Sequence, residues 1–331
     1  MSPRLEVTDL TTTFGAGESA VRALRGVSLS VNAGATLVLL GESGSGKSVT
    51  ARSILRLYGS SAHSRGTVRF EGRDLLSLSE PDMRSIRGRT IGMVPQDPAA
   101  ALDPLRSVGA QLAEVLHVHR MTRTRRQTND RCVELLGLVG IADPVRVLRS
   151  RPHQLSGGMR QRVAIAIAVS CQPDVLIADE PTSALDVSVQ AQVLELFTEL
   201  QGRMGMTLVM VTHDVGVAEE LDGQVAVMYA GAIVESGTAR EVLQTPRHPY
   251  TTGLLASLPS PTARRGELTV IGGRPPLTGE VGAGCAFAPR CPIARAECRD
   301  EEPPLMQIAP SRSSACPVTT AESPDAQEHA V

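Results

Sequence analysis

Short runs of apolar residues along this chain are separated by segments in which apolar residues recur every three or four positions. The runs at 35–40, 175–178 and 206–211 have the length of buried strands, and a segment with helical spacing follows each of the first two. Near the start, alternating apolar and polar residues at 5–7 and 27–31 predict antiparallel strands. Strands that alternate with helices are typical of an α/β protein.

Turn and capping residues delimit further elements. Ser79 is placed to cap a short helix, with Asp82 in its first turn, and Ser156 is placed to cap another. Phe14 lies in a polar stretch, 11–18, that we predict to be a turn. The remaining predicted strands are 66–75 and 90–95, and the predicted helices are 49–58, 79–87, 108–118, 125–138, 157–171 and 187–202.

The stretch from Gly41 to Ser48, with the sequence GESGSGKS, fits the phosphate-binding loop pattern and lies between a predicted strand and a predicted helix. Glycines let successive backbone N–H groups surround a polyphosphate, and the helix N-terminus adds partial positive charge. Lys47 would reach the terminal phosphates, and the Ser48 hydroxyl would complete the coordination of Mg²⁺. The alternative is a surface glycine loop that matches by chance.

Composition favours the phosphate-binding interpretation. Of the 33 Lys and Arg residues only Lys47 is a lysine, so that the other 32 (33 − 1) are arginine. A compact ammonium on a flexible stem fits inside such a loop, whereas a planar guanidinium would crowd it. We therefore expect the chain to bind a nucleoside triphosphate.

Polar residues at the ends of three predicted strands are candidates for catalysis. The run 175–178 ends in Asp179 and Glu180, in the form of a strand that delivers a carboxylate to Mg²⁺ beside a phosphate loop. Glu180 would accept a proton from an attacking water. His213 follows the strand 206–211, and Gln96 follows the strand 90–95. Taken alone, each is an ordinary polar residue at a strand end.

A second helix start also has features of an anion site. Ser156, Gly157 and Gly158 precede a helical segment, and glycines there leave backbone N–H groups open to an anion. A plain cap beside a tight helix crossing is the alternative.

Composition and charge restrict the class of protein. The formal net charge of −2 argues against a generally basic nucleic-acid binder. No apolar run has the length of a membrane span, and the first residues lack a secretory signal, so we expect a cytoplasmic protein with reduced thiols. Thirteen of the 22 prolines lie from Pro246 onward, which predicts a domain boundary near residue 245.

Taken in order, these motifs closely resemble those of the ATPase subunit of ABC transporters. The resemblance covers residues 5–245 and includes a Leu-Ser-Gly-Gly signature that Ras-like GTPases and kinases lack. The matching motifs are Walker A (41–48), the Q-loop glutamine Gln96, the signature (155–162), Walker B (175–180), the D-loop (183–186) and the switch histidine His213.

The resemblance implies a P-loop ABC-type α/β fold with three parts within residues 1–245. These are a mixed central sheet with helices, an antiparallel β subdomain and a helical subdomain at about 100–170. A small, irregular, Cys- and Pro-rich extension would occupy 246–323, with a flexible tail at 324–331.

The resemblance also implies site residues for ATP and Mg²⁺. Glu180 would polarise the lytic water, His213 would contact the γ-phosphate, and Phe14 would stack on the adenine where the family more often has Tyr. Ser48, Gln96 and Asp179 would hold Mg²⁺. The nucleotide would contact Phe14, Gly41, Ser43, Gly44, Ser45, Gly46, Lys47, Ser48 and Val49. The signature residues Ser156, Gly157, Gly158 and Gln161 would meet the nucleotide of a second subunit.

The segments 246–251 and 254–259 resemble the C-terminal extension of dipeptide, oligopeptide and nickel importer ATPases, and the whole is most like the dipeptide-permease D subunit. The implied partners are two transmembrane permeases, a second homologous ATPase in a heterodimer or homodimer, and, indirectly, an extracytoplasmic solute-binding protein. The implied location is the cytoplasmic face of the plasma membrane. A soluble ABC ATPase that acts on nucleic acid, ribosomes or iron–sulfur assembly is the alternative.

Four of the six cysteines fall in the extension, at Cys285, Cys291, Cys298 and Cys316. Their spacings match neither zinc pairs nor ferredoxin motifs. In a reducing compartment, clustered thiols on a Pro-rich segment favour a metal site over disulfides. The resemblance to peptide-importer ATPases implies a [4Fe–4S] cluster, with zinc and free thiols as the alternatives. Cys132 and Cys171 are expected to be buried on helices.

Overall fold

The computed structural model describes residues 3–17, 20–183, 185–257, 271–277 and 279–321. These residues form two compact units. The signature unit consists of the described parts of Asn32–Ala35 and Ser77–Val211, and the P-loop unit of those of Ser2–Val31, Thr36–Leu76 and Thr212–Val331. The expected tail, 324–331, lies outside the described residues, and the boundary near residue 245 stays a prediction. Among the described residues, no helix combines the length and apolar character that crossing a membrane requires.

Strands and helices are numbered here along the chain. The strands are β1 (Leu5–Phe14), β2 (Val21–Val31), β3 (Thr36–Leu40), β4 (Ala62–Phe70), β5 (Arg73–Asp74), β6 (Ile91–Val94), β7 (Val175–Asp179), β8 (Thr207–Thr212), β9 (Gln224–Tyr229), β10 (Ala232–Thr238), β11 (Met306–Ala309) and β12 (Arg312–Ser314). The helices are α1 (Lys47–Ile54), α2 (Glu80–Ile86), α3 (Pro98–Ala101), α4 (Val108–Val118), α5 (Arg125–Leu138), α6 (Pro144–Arg149), α7 (Gly157–Val169), α8 (Val187–Met204), α9 (Val215–Leu221), α10 (Ala239–Gln244), α11 (Pro249–Ala256) and α12 (Pro317–Ala321).

In the P-loop unit, an antiparallel sheet has the strand order β2-β1-β4-β5. The pairing of β1 with β2, which places Leu5 opposite Val31, confirms the antiparallel strands predicted near the start. The predicted strand 66–75 is instead two strands, β4 and β5, because the chain turns at Glu71 and Gly72. Both of these residues have positive φ, as a two-residue hairpin turn of the primed type requires.

The other strands of the P-loop unit have the order β11-β12-β10-β9-β3. Strand β3, which leads into the phosphate loop, runs parallel to β9, and β9 pairs antiparallel with β10. The C-terminal extension, expected to be irregular, contributes the antiparallel strands β11 and β12, and β12 pairs with the edge of β10 and places Ser314 opposite Glu235. The β11–β12 hairpin thereby provides hydrogen-bond partners for backbone groups of β10 that would otherwise be unpaired at the edge of the sheet.

The signature unit contains the three parallel strands β8, β7 and β6, in that order. Helices α4 and α5 have the predicted bounds, and α7 is capped by Ser156 as predicted. Helix α7 ends at Val169, so Cys171 lies beyond the helix on which it was expected. Both Cys132 and Cys171 are buried, as expected. Because buried residues lie on several sides of α7, it forms much of the core of this unit.

Candidate functional site

The phosphate loop begins where β3 ends and passes directly into α1, as the motif requires. Gly46 has φ of +105° and is the N-cap of α1, a backbone conformation that L side chains rarely adopt. A Cβ atom on Gly41 would lie 2.3 Å from the carbonyl oxygen of Met228. Glycine is therefore needed at Gly46 for its conformation and at Gly41 for the close approach of β9.

Lys47 is buried, and its ammonium is held over the loop by the loop's own backbone. Its Nζ atom donates to the carbonyl oxygens of Gly41, at 2.8 Å, and of Glu42, at 2.9 Å. The neighbouring Ser45 hydroxyl is also buried and has no hydrogen-bond partner within the described part of the chain. An ammonium aimed into a glycine loop, beside an unsatisfied buried hydroxyl, suits the oxygen atoms of a phosphate group.

The last residues of β9 and the turn after it form hydrogen bonds with the phosphate loop and with α1. The backbone N–H of Gly231 donates to the Ser45 carbonyl oxygen at 2.8 Å, and the Thr50 hydroxyl in α1 donates to the Met228 sulfur at 3.7 Å. The segment from Met228 to Gly231 therefore contacts the predicted phosphate site directly.

Ser48 and Val49 lie half-buried in the first turn of α1, and Ser43 and Gly44 are exposed at the tip of the loop. Phe14 is the last residue of β1 rather than part of a turn, and its ring meets that of Tyr58 edge-on, with centroids 4.8 Å apart. Tyr58 lies beyond α1, which ends at Ile54 instead of continuing to residue 58 as predicted, because Arg56 has φ of +52°. The adenine-stacking role of Phe14 stays a prediction.

The signature unit brings together two of the predicted catalytic residues. Strands β6 and β7 are parallel neighbours, so Gln96 and Glu180 lie just beyond the same edge of the sheet. The Gln96 Nε2 atom donates to Glu180 Oε2 at 3.1 Å. Glu180 has φ of +46°, and its backbone N–H donates to the Val211 carbonyl oxygen. This left-handed conformation redirects the chain directly after β7.

Asp179, the last residue of β7, is fully buried. A carboxylate in such a position could bind a cation held inside the protein. His213 directly follows β8, and its side chain is exposed. The metal-binding role of Asp179 and the phosphate contact of His213 both stay predictions.

The helix start at Ser156 has the geometry that its sequence predicts. The Ser156 hydroxyl accepts the backbone N–H of Met159 at 3.3 Å, and Ser156 and Gly157 are exposed. A Cβ atom on Gly158 would lie 3.1 Å from a methyl group of Val189. Gln161 is different, because its side chain is buried in the signature unit and its amide nitrogen has no hydrogen-bond partner among the described residues.

The four cysteines of the extension line one small pocket, together with residues that include His248 and Phe287. Burial raises the pKa of Cys285 and of Cys291, and the neighbouring thiols raise both values further. Within the described residues, however, no three or more His, Cys, Asp or Glu side chains are grouped so that they could hold a metal ion. The structure therefore does not support the expected [4Fe–4S] cluster.

Sequence reasoning missed how the C-terminal extension contacts the phosphate loop. Arg290 of the extension binds the Glu42 carboxylate through both terminal nitrogen atoms, at 3.0 and 3.3 Å. The two residues are 248 positions apart, and no local pattern relates them.

Two family models match the chain. The ABC transporter model matches residues 24–183, and the model for the C-terminal region of oligopeptide/dipeptide transporters matches residues 234–298. The chain is also 47% identical over 315 residues to a probable peptide ABC transporter ATP-binding protein, y4tR, of Sinorhizobium fredii, with 94% of each chain covered.

The chain belongs to the ABC transporter ATP-binding family, in its oligopeptide/dipeptide branch.

Two further relatives support this family assignment. The chain is 46% identical over 308 residues to the oligopeptide transport ATP-binding protein OppD of Bacillus subtilis, covering 92% of this chain and 86% of that protein. It is 46% identical over 317 residues to OppD of Mycobacterium tuberculosis, but that match covers 96% of this chain and only 52% of the relative. The chain therefore spans about half the length of that mycobacterial relative.

Solved structures support the fold. The dimeric ATP-binding cassette MJ0796 in a post-hydrolysis state with ADP and Pi has a TM-score of 0.64 and 29% identity, covering 71% of this chain and 99% of that chain. The structure of cbiO1 from Clostridium perfringens, part of the transporter complex cbiONQ, has a TM-score of 0.62 and 27% identity. This match covers 74% of this chain and 92% of that chain. The predicted ABC-type α/β fold is confirmed.

Proposed function

We propose that this chain is the ATP-binding and ATP-hydrolysing subunit that powers the import of dipeptides or oligopeptides through partner permeases. The observation that carries this proposal is the match of residues 234–298 to the C-terminal region of oligopeptide/dipeptide transporters, since the ABC model alone would leave the cargo open. The names of the relatives from Sinorhizobium fredii and Bacillus subtilis agree with a peptide cargo.

For the nucleotide, we assign the triphosphate to the backbone N–H groups of the glycine loop and to the Lys47 ammonium. The buried Ser45 hydroxyl and the position of Lys47 Nζ support this assignment. Phe14 would contact the adenine, and Val49 would lie against the phosphates at the start of α1. Mg²⁺ would be held by oxygen atoms of Ser48, Gln96 and Asp179, donors of the kind that this ion prefers.

For hydrolysis, Glu180 would accept a proton from the attacking water, and His213 would contact the γ-phosphate. The hydrogen bond from Gln96 to Glu180 supports a shared role, because it orients the carboxylate that handles the water. In this bond the Gln96 amide is the donor and the Glu180 carboxylate is the acceptor.

A second copy or a homologue of this chain would complete the nucleotide site. Ser156, Gly157 and Gly158 would meet the γ-phosphate bound to that partner, which explains why one chain carries two helix starts suited to anions. The exposure of Ser156 and Gly157 supports such a role, and the ADP-bound cassette MJ0796 is dimeric. Two permeases would bind the ATPase pair at the cytoplasmic face of the plasma membrane, and a solute-binding protein would deliver peptide from outside. We assign no role in nucleic-acid binding.

The iron–sulfur cluster stays a proposal that rests on the donor set alone. Four thiols line one pocket, and thiolates are the ligands of such clusters, although the described residues do not group three of them so that they could hold a metal ion. When bound, the cluster would cross-link the extension and supply redox chemistry that ATP hydrolysis does not use. Cys285, Cys291, Cys298 and Cys316 would be its ligands.

An uptake assay tests the proposed cargo. The gene is deleted, labelled dipeptides, oligopeptides and nickel are offered to the cells, and uptake is restored with the wild-type gene or with a Glu180→Gln variant. We expect loss of peptide uptake and rescue by the wild type alone. Unchanged peptide uptake together with loss of nickel uptake would contradict the peptide assignment. Purified protein that carries RNA or DNA and no permease would favour the soluble alternative.

A further inference from the structure

The second residue of the phosphate loop, Glu42, is held by the C-terminal extension through both its backbone and its side chain. Its backbone N–H donates to the Tyr250 hydroxyl at 2.9 Å. Its carboxylate receives two hydrogen bonds from Arg290, one to each oxygen, in the fork geometry that fixes orientation as well as distance. Loop and extension therefore meet at three hydrogen bonds to one residue.

Arg290 is itself fixed in place. Its side chain is 6% exposed, its Nε atom donates to the Gly272 carbonyl oxygen at 2.9 Å, and it also donates to the Tyr229 hydroxyl at 3.2 Å. The guanidinium carbon lies 5.8 Å from the centre of the Tyr229 ring and 5.9 Å from that of Phe287. An arginine held on this many sides cannot follow a displaced loop, and so it defines where Glu42 lies.

Tyr250 is equally constrained. It is fully buried, its ring lies 4.5 Å from that of Tyr229 and 5.5 Å from that of Phe287, and burial raises the pKa of its hydroxyl. The hydroxyl therefore stays protonated and accepts the Glu42 N–H through an oxygen lone pair. Phe287, which contacts both Tyr229 and Tyr250, belongs to the cysteine-rich segment.

The position of Glu42 is passed on to the residues that face the phosphates. Its carbonyl oxygen accepts from the Lys47 ammonium at 2.9 Å and from the Ser45 backbone N–H at 3.2 Å. A shift of Glu42 would thus move the one lysine of the chain and the buried Ser45. Misplacement of about 1 Å at such a site lowers activity by up to roughly 10²-fold.

We infer that Arg290 and Tyr250 are positioning residues for the nucleotide: through Glu42 they hold the phosphate loop in its binding conformation, and the extension thereby controls ATP affinity. The inference rests on the assignment of Gly41–Ser48 to the ATP phosphates and needs no assumption about the cargo. Neither residue would touch the nucleotide.

The test is ATP binding by the full chain, measured by calorimetry, for Arg290→Ala, Tyr250→Phe, Glu42→Gln and the double variant Arg290→Ala/Glu42→Gln. Tyr250→Phe keeps the buried ring and removes only the acceptor for the Glu42 N–H, so it tests the inference even if Arg290→Ala does not fold. Arg274→Ala is the matched control, because Arg274 makes the same two-pronged contact with Glu280 on the exposed surface of the extension. Lys47→Ala reports on the assignment of the site itself.

We expect each single variant at Arg290, Tyr250 or Glu42 to raise the Kd for ATP by roughly tenfold, with the KM raised more than kcat is lowered. The Arg290/Glu42 double variant should be no worse than Arg290→Ala, because both changes remove one interaction. Arg290→Lys should recover only part of the affinity, since lysine lacks the fork. A purely structural role would instead lower the melting temperature and leave the Kd unchanged.

Kd values for Tyr250→Phe and Glu42→Gln within about twofold of the Arg274→Ala control would overturn the inference. So small a change would mean that the extension does not position the phosphate loop for ATP. If Lys47→Ala also bound ATP like the wild type, the assignment of the loop would fail as well, and the two failures are thereby distinguished.

Discussion

The side-chain amide of Gln96 donates a hydrogen bond to the carboxylate of Glu180, at 3.1 Å, although the two residues are 84 positions apart. Parallel pairing of β6 with β7 produces this contact, because Val94 lies opposite Ala178 and each strand ends shortly afterwards. The contact holds the Glu180 carboxylate against the Gln96 amide, and it therefore guides the first prediction.

Replacing Glu180 with Gln should leave ATP binding intact and stop turnover. The amide keeps the shape of the carboxylate but cannot accept a proton, so ATP hydrolysis should fall by at least roughly 10²-fold. The variant should accumulate as an ATP-bound dimer, visible by size-exclusion chromatography with light scattering. Glu195→Gln, an exposed change on α8, is the control and should hydrolyse ATP like the wild type. Hydrolysis by Glu180→Gln near the wild-type rate would remove Glu180 from this role.

Replacing Lys47 with Ala should abolish measurable ATP binding. The ammonium lies between two carbonyl oxygens inside the loop, and a charged hydrogen bond contributes about 1.5–3 kcal/mol, or at least roughly tenfold in affinity. Lys47→Arg keeps the charge but must fit a wider group into a space where Lys47 is 3% exposed, so it should also bind poorly. Calorimetry with ATP checks both. Wild-type affinity for Lys47→Arg would show that charge alone matters.

Replacing Gly231 with Ala should destabilise the fold more than the same change at Gly72. The two glycines have φ of +83° and +82°, so both variants carry the same backbone strain, about 1–2 kcal/mol. A Cβ atom on Gly231 would also lie 2.3 Å from the Ala23 carbonyl oxygen, whereas Gly72 has open space around it. We expect Gly231→Ala to lose about 1–3 kcal/mol more in free energy of unfolding.

ATP affinity should separate the same two glycine variants. Only Gly231 donates a backbone hydrogen bond to the phosphate loop, at Ser45, so only Gly231→Ala should bind ATP more weakly. Equal losses of stability and affinity in the two variants would contradict the contact described for Gly231.

The stability of the chain should fall as the pH drops from about 6.5 to about 4, in part because of His248. Burial lowers the pKa of His248 from its ordinary 6.5 to about 4 in the folded protein. The unfolded chain therefore binds a proton below pH 6.5 that the folded chain rejects, and this favours unfolding as the pH falls. Between pH 7 and 5 the effect amounts to about 2 kcal/mol.

His248→Asn isolates this contribution. Asparagine can still accept the Tyr250 N–H that His248 Nδ1 accepts at 3.1 Å, but it does not titrate. Urea unfolding at pH 7 and at pH 5 should show a smaller loss of stability for the variant than for the wild type. Equal losses would mean that His248 does not contribute in this range.

Iron content decides the remaining question about the cysteines. If the four-thiol pocket holds a [4Fe–4S] cluster, protein purified without oxygen should be brown and contain iron and sulfide in equal amounts. Cys291→Ser should lose the visible absorbance, and Cys132→Ser, at a buried position on α5, should keep it. Colourless, iron-free wild-type protein would refute the cluster, and zinc in its place would support the alternative metal.

Local patterns along the chain were sufficient to predict the motifs and most of the helices and strands. Helices α4 and α5 have the predicted bounds, and the caps at Ser79 and Ser156 have the predicted hydrogen bonds, because capping and helical periodicity involve residues only three or four positions apart. The phosphate loop is equally local, since its function depends on adjacent glycines and the helix that follows. Family membership also follows from the order of such short motifs.

Only the tertiary structure decided which distant residues meet. It placed Arg290 and Tyr250 on Glu42, added the hairpin β11–β12 to the edge of β10, and buried Gln161 inside the signature unit. Each of these contacts depends on how strands pair and close long loops, and a pattern that spans a few residues carries no information about that closure. Sequence therefore determined which residues can bind a phosphate, and the fold determined what holds them in position.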